Sequence, residues 1–319
     1  MSEYLDTLVS GFWDYQQKVF PNWKIFFDQP EKSNKRPPVF LKNRADYNVL
    51  MKPGISPEKR RIILNQLPPR SRHKWFGSMK SSQALAQSVF ANLKEYEKLH
   101  YLEEISCDHG DPLFENGSIT RDNFFMEYDI NFLKEPRHTN LDCFISGEYK
   151  IAVECKLTES EFGNCSRIRL KEKDPNYDTD YCNGSYTFQR DRKERCSLTE
   201  IGVLYWRYIP EVFKLNSDVN YNVCPIKKNY QLVRNILAVC GRTNGKVDQE
   251  MGHAIVIYDA RNPKFQQNGE AYSVFEDTRK LLRNPKKLRK CSWQKLIDHI
   301  RQKGAMEWLT EQLFIKYGI

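Results

Sequence analysis

The chain has 319 residues, a formal net charge of +9 and a sequence pI near 8.9. This length allows a sizeable core in one large or two modest domains, and the basic balance suits a polyanionic partner without proving one. No stretch reaches the apolar length of a membrane span, and the N-terminus lacks the basic start and apolar run of a signal peptide. We therefore expect a cytoplasmic protein whose nine cysteines are thiols or metal ligands rather than disulfides.

Residues 1–77 are predicted to form a helical, basic N-terminal extension. Val9 and Phe12 belong to an apolar spacing that predicts a helix packed on the body of the protein. A polar, proline-bearing loop is expected from Gln29 to Pro38, since proline and polar residues cluster there. The surrounding stretch from residue 32 to residue 72 is rich in Lys and Arg.

The rest of the chain alternates helical and strand patterns. A long helix over residues 78–104 is predicted to begin near Ser81 or Ser82. The further predicted elements are strands at about 123–133, 139–146 and 149–158, a helix near 198–213, a helix at about 229–241, a strand over 253–258 and a helical C-terminal stretch.

The stretch from Leu141 to Leu157 predicts a β-hairpin, because two short apolar runs flank a Ser-Gly-Glu turn. Residues two apart on a strand share a face, so Glu154 and Lys156 point the same way and Cys155 points the opposite way. Pairing around the turn can bring Asp142 beside them. Two carboxylates can hold a hard divalent cation, and a neighbouring lysine can orient or deprotonate a water.

This pattern resembles the PD-(D/E)XK phosphodiesterase superfamily, the restriction-endonuclease-like fold. An acid ends one strand and Glu-x-Lys follows in the next, although Leu141 precedes the acid where that superfamily often has proline. Ser81–Ala86, Phe125–Tyr128 and Tyr230–Asn235 strengthen the match. Together these segments resemble a bacterial group of restriction-type endonucleases within the superfamily, over roughly residues 80 to 300.

The resemblance implies an α/β fold with a restriction-endonuclease-like core, a central mixed sheet flanked by helices, and helical N- and C-terminal extensions. The nuclease domain would span residues 78–319, with an irregular, cysteine-bearing insertion at about 159–225. Asp142, Glu154 and the carbonyl of Cys155 would bind Mg²⁺, for which Mn²⁺ can substitute. Lys156 would position or activate the attacking water. DNA would be the partner, and products would carry 5′-phosphate and 3′-hydroxyl ends.

Four further polar residues are candidates near this centre. Glu127 is either an exposed strand residue or a third metal ligand or water-holding acid, because strand register is not set by sequence alone. Gln231 and Arg234 begin a helix whose N-terminus favours anions, and they are expected to touch the metal site or a phosphate. Gln83 is expected to reach a phosphate or a base edge through its amide.

A basic run near the C-terminus is the second expected contact with DNA. Lys286, Lys287, Arg289 and Lys290 lie within it. The charges are dense and few acids are nearby in sequence, so we expect these side chains to bind the phosphate backbone. The alternative is a solvated face.

Cys165, Cys182, Cys196 and Cys224 all lie in the insertion. They could hold an iron–sulfur cluster or Zn²⁺, since a metal could replace missing core burial in an irregular stretch. Their spacing has no Cys-x-x-Cys pair, so scattered thiols remain the alternative.

Other function classes remain open. The leading interpretation is a metal-dependent DNA endonuclease in restriction or defence. The alternatives are a repair or recombination nuclease acting on DNA ends or branches, and a non-cleaving nucleic-acid-binding protein of the same fold. The sequence does not decide whether the substrate is DNA or RNA. It is compatible with a homodimer.

Overall fold

A five-stranded mixed sheet is the centre of this computed structural model, which describes residues 3–28, 36–190, 192–242, 244–248 and 250–319. The strands lie side by side in chain order: β1 Phe124–Ile130, β2 Thr139–Ile145, β3 Lys150–Cys155, β4 Gly252–Tyr258 and β5 Leu288–Ser292. Strands β1, β2 and β3 pair antiparallel, whereas β3, β4 and β5 pair parallel. Long crossovers join the parallel strands, as their geometry requires.

Helices surround the sheet. The α-helices are α1 Glu3–Val19, α2 Pro57–Asn65, α3 Ser82–Ala86, α4 Asn92–Glu95, α5 Tyr177–Asp180, α6 Ser197–Glu200, α7 Tyr205–Val212, α8 Tyr230–Cys240, α9 Glu270–Leu281, α10 Trp293–Gln302 and α11 Glu307–Tyr317. A π-helical turn, Gln87–Ala91, joins α3 to α4. Short 3₁₀ helices are Trp23–Ile25, Lys42–Asn48, Pro69–Ser71, Leu99–Glu104, Ser166–Arg169 and Pro285–Lys287.

Each face of the sheet has its own hydrophobic cluster. The first cluster joins α1, α3, α4, α10 and α11 to Ile151 and Val153 of β3. The second joins α7, α8 and α9 to Ala152 of β3 and Val256 of β4. Because successive strand residues face opposite sides, β3 is apolar on both faces along most of its length. The N-terminal extension therefore shares a core with the sheet, and the boundary at residue 78 stays a prediction.

The predicted α/β fold is confirmed, and two predicted helices are shorter than expected. Ser81 caps α3 by accepting the Ala84 N–H at 3.2 Å, but the helix ends at Glu95. Glu97 follows with a left-handed φ of 58°, which interrupts helical geometry. The predicted helix at 198–213 is divided into α6 and α7 around Gly202, whose φ is 92°.

The predicted helical C-terminal region is confirmed by α10 and α11, but the sequence analysis did not predict the strand β5 that precedes them. Leu288–Ser292 forms a parallel edge strand beside β4. The strand carries Arg289 and Lys290, and its first four residues are buried. Because two central positions are charged, the segment lacks the apolar–polar alternation from which a strand is predicted.

Two further expectations from the sequence concern a loop and membrane crossing. Of the predicted loop from Gln29 to Pro38, residues 29–35 lie outside the described residues. In the described ranges, no helix combines the length and apolar character needed to cross a membrane.

Gly252 at the start of β4 tests the tight β3–β4 contact. A Cβ there would lie 2.2 Å from the Lys150 carbonyl oxygen. We expect Gly252→Ala to reduce the free energy of unfolding by about 1–3 kcal/mol, because the backbone must shift. Gly11→Ala is the matched control, since nothing lies within 4 Å of its added Cβ.

The control should gain about 0.5–1 kcal/mol, because alanine is favoured over glycine inside a helix. Urea unfolding monitored by circular dichroism measures both. Equal stability of the two variants would contradict the packing assigned to Gly252.

Candidate active site

Three carboxylates meet across three neighbouring strands. Cys143 of β2 pairs with Val153 of β3. Asp142 and Glu154 are the next residues of the two strands, on the side away from the hairpin turn. Glu127 of β1 lies opposite Asp142, at a gap in the otherwise continuous register of β1 with β2. The hairpin predicted from sequence is therefore confirmed, and its register brings a third acid to the other two.

Glu127 has an unusual backbone. Its φ of 51° is left-handed, a conformation that side chains with a Cβ rarely adopt and that persists mainly where function needs it. Before it, Phe124 and Met126 pack in the first cluster. After it, Tyr128 and Ile130 join the second. The strand therefore exchanges faces at Glu127.

Glu154 is the most heavily bonded of the acids. Its Oε1 accepts from Gln231 Nε2 at 2.6 Å and its Oε2 from Asn235 Nδ2 at 3.0 Å. Lys156 Nζ lies 3.1 Å from the same carboxylate and donates to Gln231 Oε1 at 2.7 Å. One amide of α8 thus bridges the buried carboxylate and the buried ammonium.

Asp142 is held by the neighbouring strand. Its Oδ2 accepts the backbone N–H of Cys155 at 2.7 Å. The thiols of Cys155 and Cys143 are buried in the first cluster, on the side away from Glu154. This confirms the predicted alternation along β3.

Burial and the neighbouring acids raise the pKa values of Asp142 and Glu127. Burial, followed by Glu154 and Glu127, raises the pKa of Asp142 well above its ordinary value. Burial raises the pKa of Glu127 to about 7, with Glu154 adding to it and the Gln83 hydrogen bond opposing it. Burial alone would lower the pKa of Lys156, but Glu154 and the other carboxylates raise it. The lysine is therefore an ammonium here.

The donor set fits a hard divalent cation. Three carboxylates against one ammonium leave excess negative charge where desolvation makes it costly. Carboxylate and carbonyl oxygens are the ligands that Mg²⁺ takes. In the part of the chain that the structure describes, no group of three or more His, Cys, Asp and Glu side chains already has a metal-holding arrangement. The fit therefore rests on the chemistry of the donors.

Comparison with known proteins assigns the chain to a family. A family model described as Restriction Endonuclease associating with ARP matches residues 51–318. The chain belongs to this family. No curated protein and no solved structure matches the chain.

Membership in the Restriction Endonuclease associating with ARP family carries a functional statement. It indicates a nuclease role in defence, with DNA as the implied substrate. The matched residues include the whole sheet, α8 and the three acids. The predicted resemblance to restriction endonucleases is confirmed at this level.

Of two other predicted residues in this restriction-endonuclease-family protein, Gln83 lies beside the acids and Arg234 does not. Gln83 Nε2 donates to Glu127 and its Oε1 accepts the His73 N–H. Arg234 turns instead to Glu135 at 3.1 Å and to Thr139. Gln231, one turn earlier on α8, thus reaches the acids while Arg234 braces the neighbouring hairpin.

The basic run differs from its predicted role. Lys287, Arg289 and Lys290 are each 5 % exposed, so they do not form a solvated phosphate-binding surface. Arg289 pairs with Glu115 and Lys290 with Glu276, both at 2.6 Å.

The expectation that few acids could neutralise the run was wrong, because the fold brings Glu115 from a distant segment and Glu276 from the preceding helix, α9. Lys286 keeps a side-chain exposure of 68 % and lies 3.1 Å from Asp111. It is the member of the run that remains open to a phosphate.

The four insertion cysteines come together. Cys165, Cys182, Cys196 and Cys224 line one cavity on the side of the second cluster. Residues up to 59 positions apart in sequence (224 − 165 = 59) therefore share one small volume.

Sequence reasoning did not identify Asn235 or Glu159 as parts of this centre. Asn235 follows Gln231 by four residues on α8, a spacing that places both amides on one helix face and could have identified it. Glu159, which follows β3, accepts from Ser82 Oγ at 2.6 Å and from the Leu157 N–H at 2.7 Å. It also adds to the negative field at Lys156.

Arg289 provides a test of the corrected basic run. It donates to the Pro112 carbonyl as well as to Glu115. Arg289→Gln should lower the free energy of unfolding by about 2 kcal/mol, because charged hydrogen bonds are lost in a buried place. Lys286→Gln is the control, with an expected change within about 0.5 kcal/mol for an exposed side chain.

Urea titration of both variants measures the difference. The sequence-based expectation of a solvated run would be favoured if both variants were as stable as the unsubstituted protein.

Proposed function

We propose that this protein is a Mg²⁺-dependent endonuclease that hydrolyses phosphodiester bonds of DNA in restriction. The observation that carries the proposal is the convergence of Glu127, Asp142 and Glu154 beside the buried ammonium of Lys156. A binding-only protein has no need of clustered acids, which repel phosphate. Family membership supports the nuclease and defence parts of the proposal.

Asp142, Glu154 and the carbonyl of Cys155 would hold the ion, with Glu127 as a third acid or as the acceptor for a water. Bound Mg²⁺ neutralises charge on the phosphoryl oxygens and acts as a Lewis acid. Mn²⁺ offers the same oxygen preference.

Lys156 is placed to orient the attacking water. An ammonium has three donors, and its contacts with Gln231 and Glu154 account for two. The remaining donor can hold a water or a phosphate oxygen. Gln231 and Asn235 fix the orientation of the Glu154 carboxylate. Because the carboxylate is already held in one orientation, less conformational entropy is lost when the reacting groups come together.

The first test neutralises the acids without removing their oxygens. Asp142→Asn and Glu154→Gln should abolish Mg²⁺-dependent cleavage of circular plasmid, while DNA affinity is kept or increased as phosphate repulsion falls. Glu148→Gln at the exposed hairpin turn is the control and should cut normally. Gel assays with Mg²⁺ or EDTA and fluorescence anisotropy give the two readouts.

Sequencing of product ends separates the alternatives. Discrete fragments with 5′-phosphates support restriction, whereas cutting confined to ends or branches would indicate a repair nuclease. The proposal is contradicted if the unsubstituted protein binds DNA without cleaving it, or if both acid variants cleave at the full rate.

A second test concerns Lys156. Lys156→Ala should slow single-turnover cleavage by on the order of 10²-fold or more, as expected when the group that positions the attacking water is lost. Lys150→Ala on the same strand, at its partly exposed start, should cleave at the normal rate. The measurement uses matched pH and Mg²⁺, with thermal melting to confirm folding. An unaltered rate in folded Lys156→Ala would place water activation elsewhere.

A further inference from the structure

Four cysteines line one small enclosed cavity in the insertion. The cavity has a volume of about 20 Å³, and Cys165, Cys182, Cys196 and Cys224 form its wall together with apolar groups. All four are free thiols. They come from separate turns of the insertion, so the chain returns to this point four times.

Each sulfur also receives a backbone N–H from the residue two positions further along. Gly184 N donates to Cys182 Sγ at 3.3 Å. The corresponding donors are Arg167 for Cys165, Leu198 for Cys196 and Ile226 for Cys224. An N–H directed at sulfur stabilises a thiolate, and such bonds surround cysteine ligands of metals. Scattered core cysteines have no reason to repeat this arrangement four times.

We propose that Cys165, Cys182, Cys196 and Cys224 form a structural Zn²⁺ site. Four thiolates are a complete tetrahedral set for zinc. A cavity needs roughly 10–15 Å³ to hold one water, so the observed 20 Å³ suits a single ion better than a multi-iron cluster.

The charges around the cavity agree with this assignment. A divalent cation binds cysteines as thiolates and releases their protons. Lys227 lies at the same wall, where its ammonium offsets part of the charge of four thiolates.

Binding requires a local adjustment. In the described residues no cysteine group already has metal-ligand spacing, so the side chains must rotate inward about χ1. The backbone segments that carry the cysteines are already hydrogen-bonded to one another. Cys165 N donates to the Lys227 carbonyl at 3.0 Å, and Cys224 N donates to the Gly184 carbonyl at 2.9 Å. These bonds hold the cysteine turns together.

The site would act on the fold rather than on DNA. Residues 225–229 connect Cys224 directly to α8, which carries Gln231 and Asn235. A zinc ion would therefore anchor the start of the helix that orients Glu154. The inference does not depend on the proposed nuclease function, because zinc content and cleavage are measured separately.

The first experiment uses the unsubstituted full chain purified without chelators. Elemental analysis should find about one zinc per chain, and Co²⁺ exchange should give the intense visible absorption of tetrahedral thiolate cobalt. A chain with neither zinc nor the cobalt spectrum overturns the site. So does a chain with an iron–sulfur chromophore or with the four thiols joined as disulfides.

Matched variants locate the ion. Cys165→Ala with Cys196→Ala should lose the zinc and the cobalt spectrum, whereas Cys240→Ala, a buried cysteine outside the cavity, should keep both. Asp142→Asn should also keep the zinc, which separates this site from the acids. Should the double variant fail to fold, thiol modification of the unsubstituted protein must release the zinc. Zinc retained by the double variant, or zinc unaffected by thiol modification, refutes the assignment.

Discussion

Repulsion among Glu127, Asp142 and Glu154 is the constraint on which the site depends. Strand pairing fixes the three backbones side by side, so the carboxylates cannot relax by moving apart along the sheet. Lys156 offsets one of the charges, and two amides of α8 bind the Glu154 oxygens. What remains is an uncompensated negative charge in a partly desolvated place, which a cation can balance.

The surrounding fold serves this arrangement. The second cluster holds α8 against the sheet face that carries Glu154, and the first cluster supports the opposite face through Cys155 and Val153. The left-handed backbone at Glu127 lies where β1 exchanges faces, opposite Asp142 of β2. The third acid therefore comes from a position of strained backbone geometry.

Much of this centre could be predicted from sequence, because a hairpin has period two and its turn was recognisable. The shared face of Glu154 and Lys156 followed from that period, and the position of Asp142 followed from pairing around the turn. Glu127 stayed ambiguous, since a backbone that changes face leaves no signal in alternation. The burial of Arg289 and Lys290 was not predictable, because Glu115 lies 174 residues from Arg289 and Glu276 lies on a separate helix, α9. For the four cysteines, sequence could suggest a group but not the cavity that they share.

The packing of α1 on α11 has a consequence for synthesis. Phe12 of α1 meets Tyr317 of α11 edge-on, with ring centroids 5.6 Å apart, and both belong to the first cluster. The opening helix therefore emerges from the ribosome long before the partner that covers it. Such a long-range contact delays completion of this layer, because its closure entropy must be overcome before the contact stabilises the fold. During translation the part of α1 that packs on Tyr317 stays uncovered until α11 has been made.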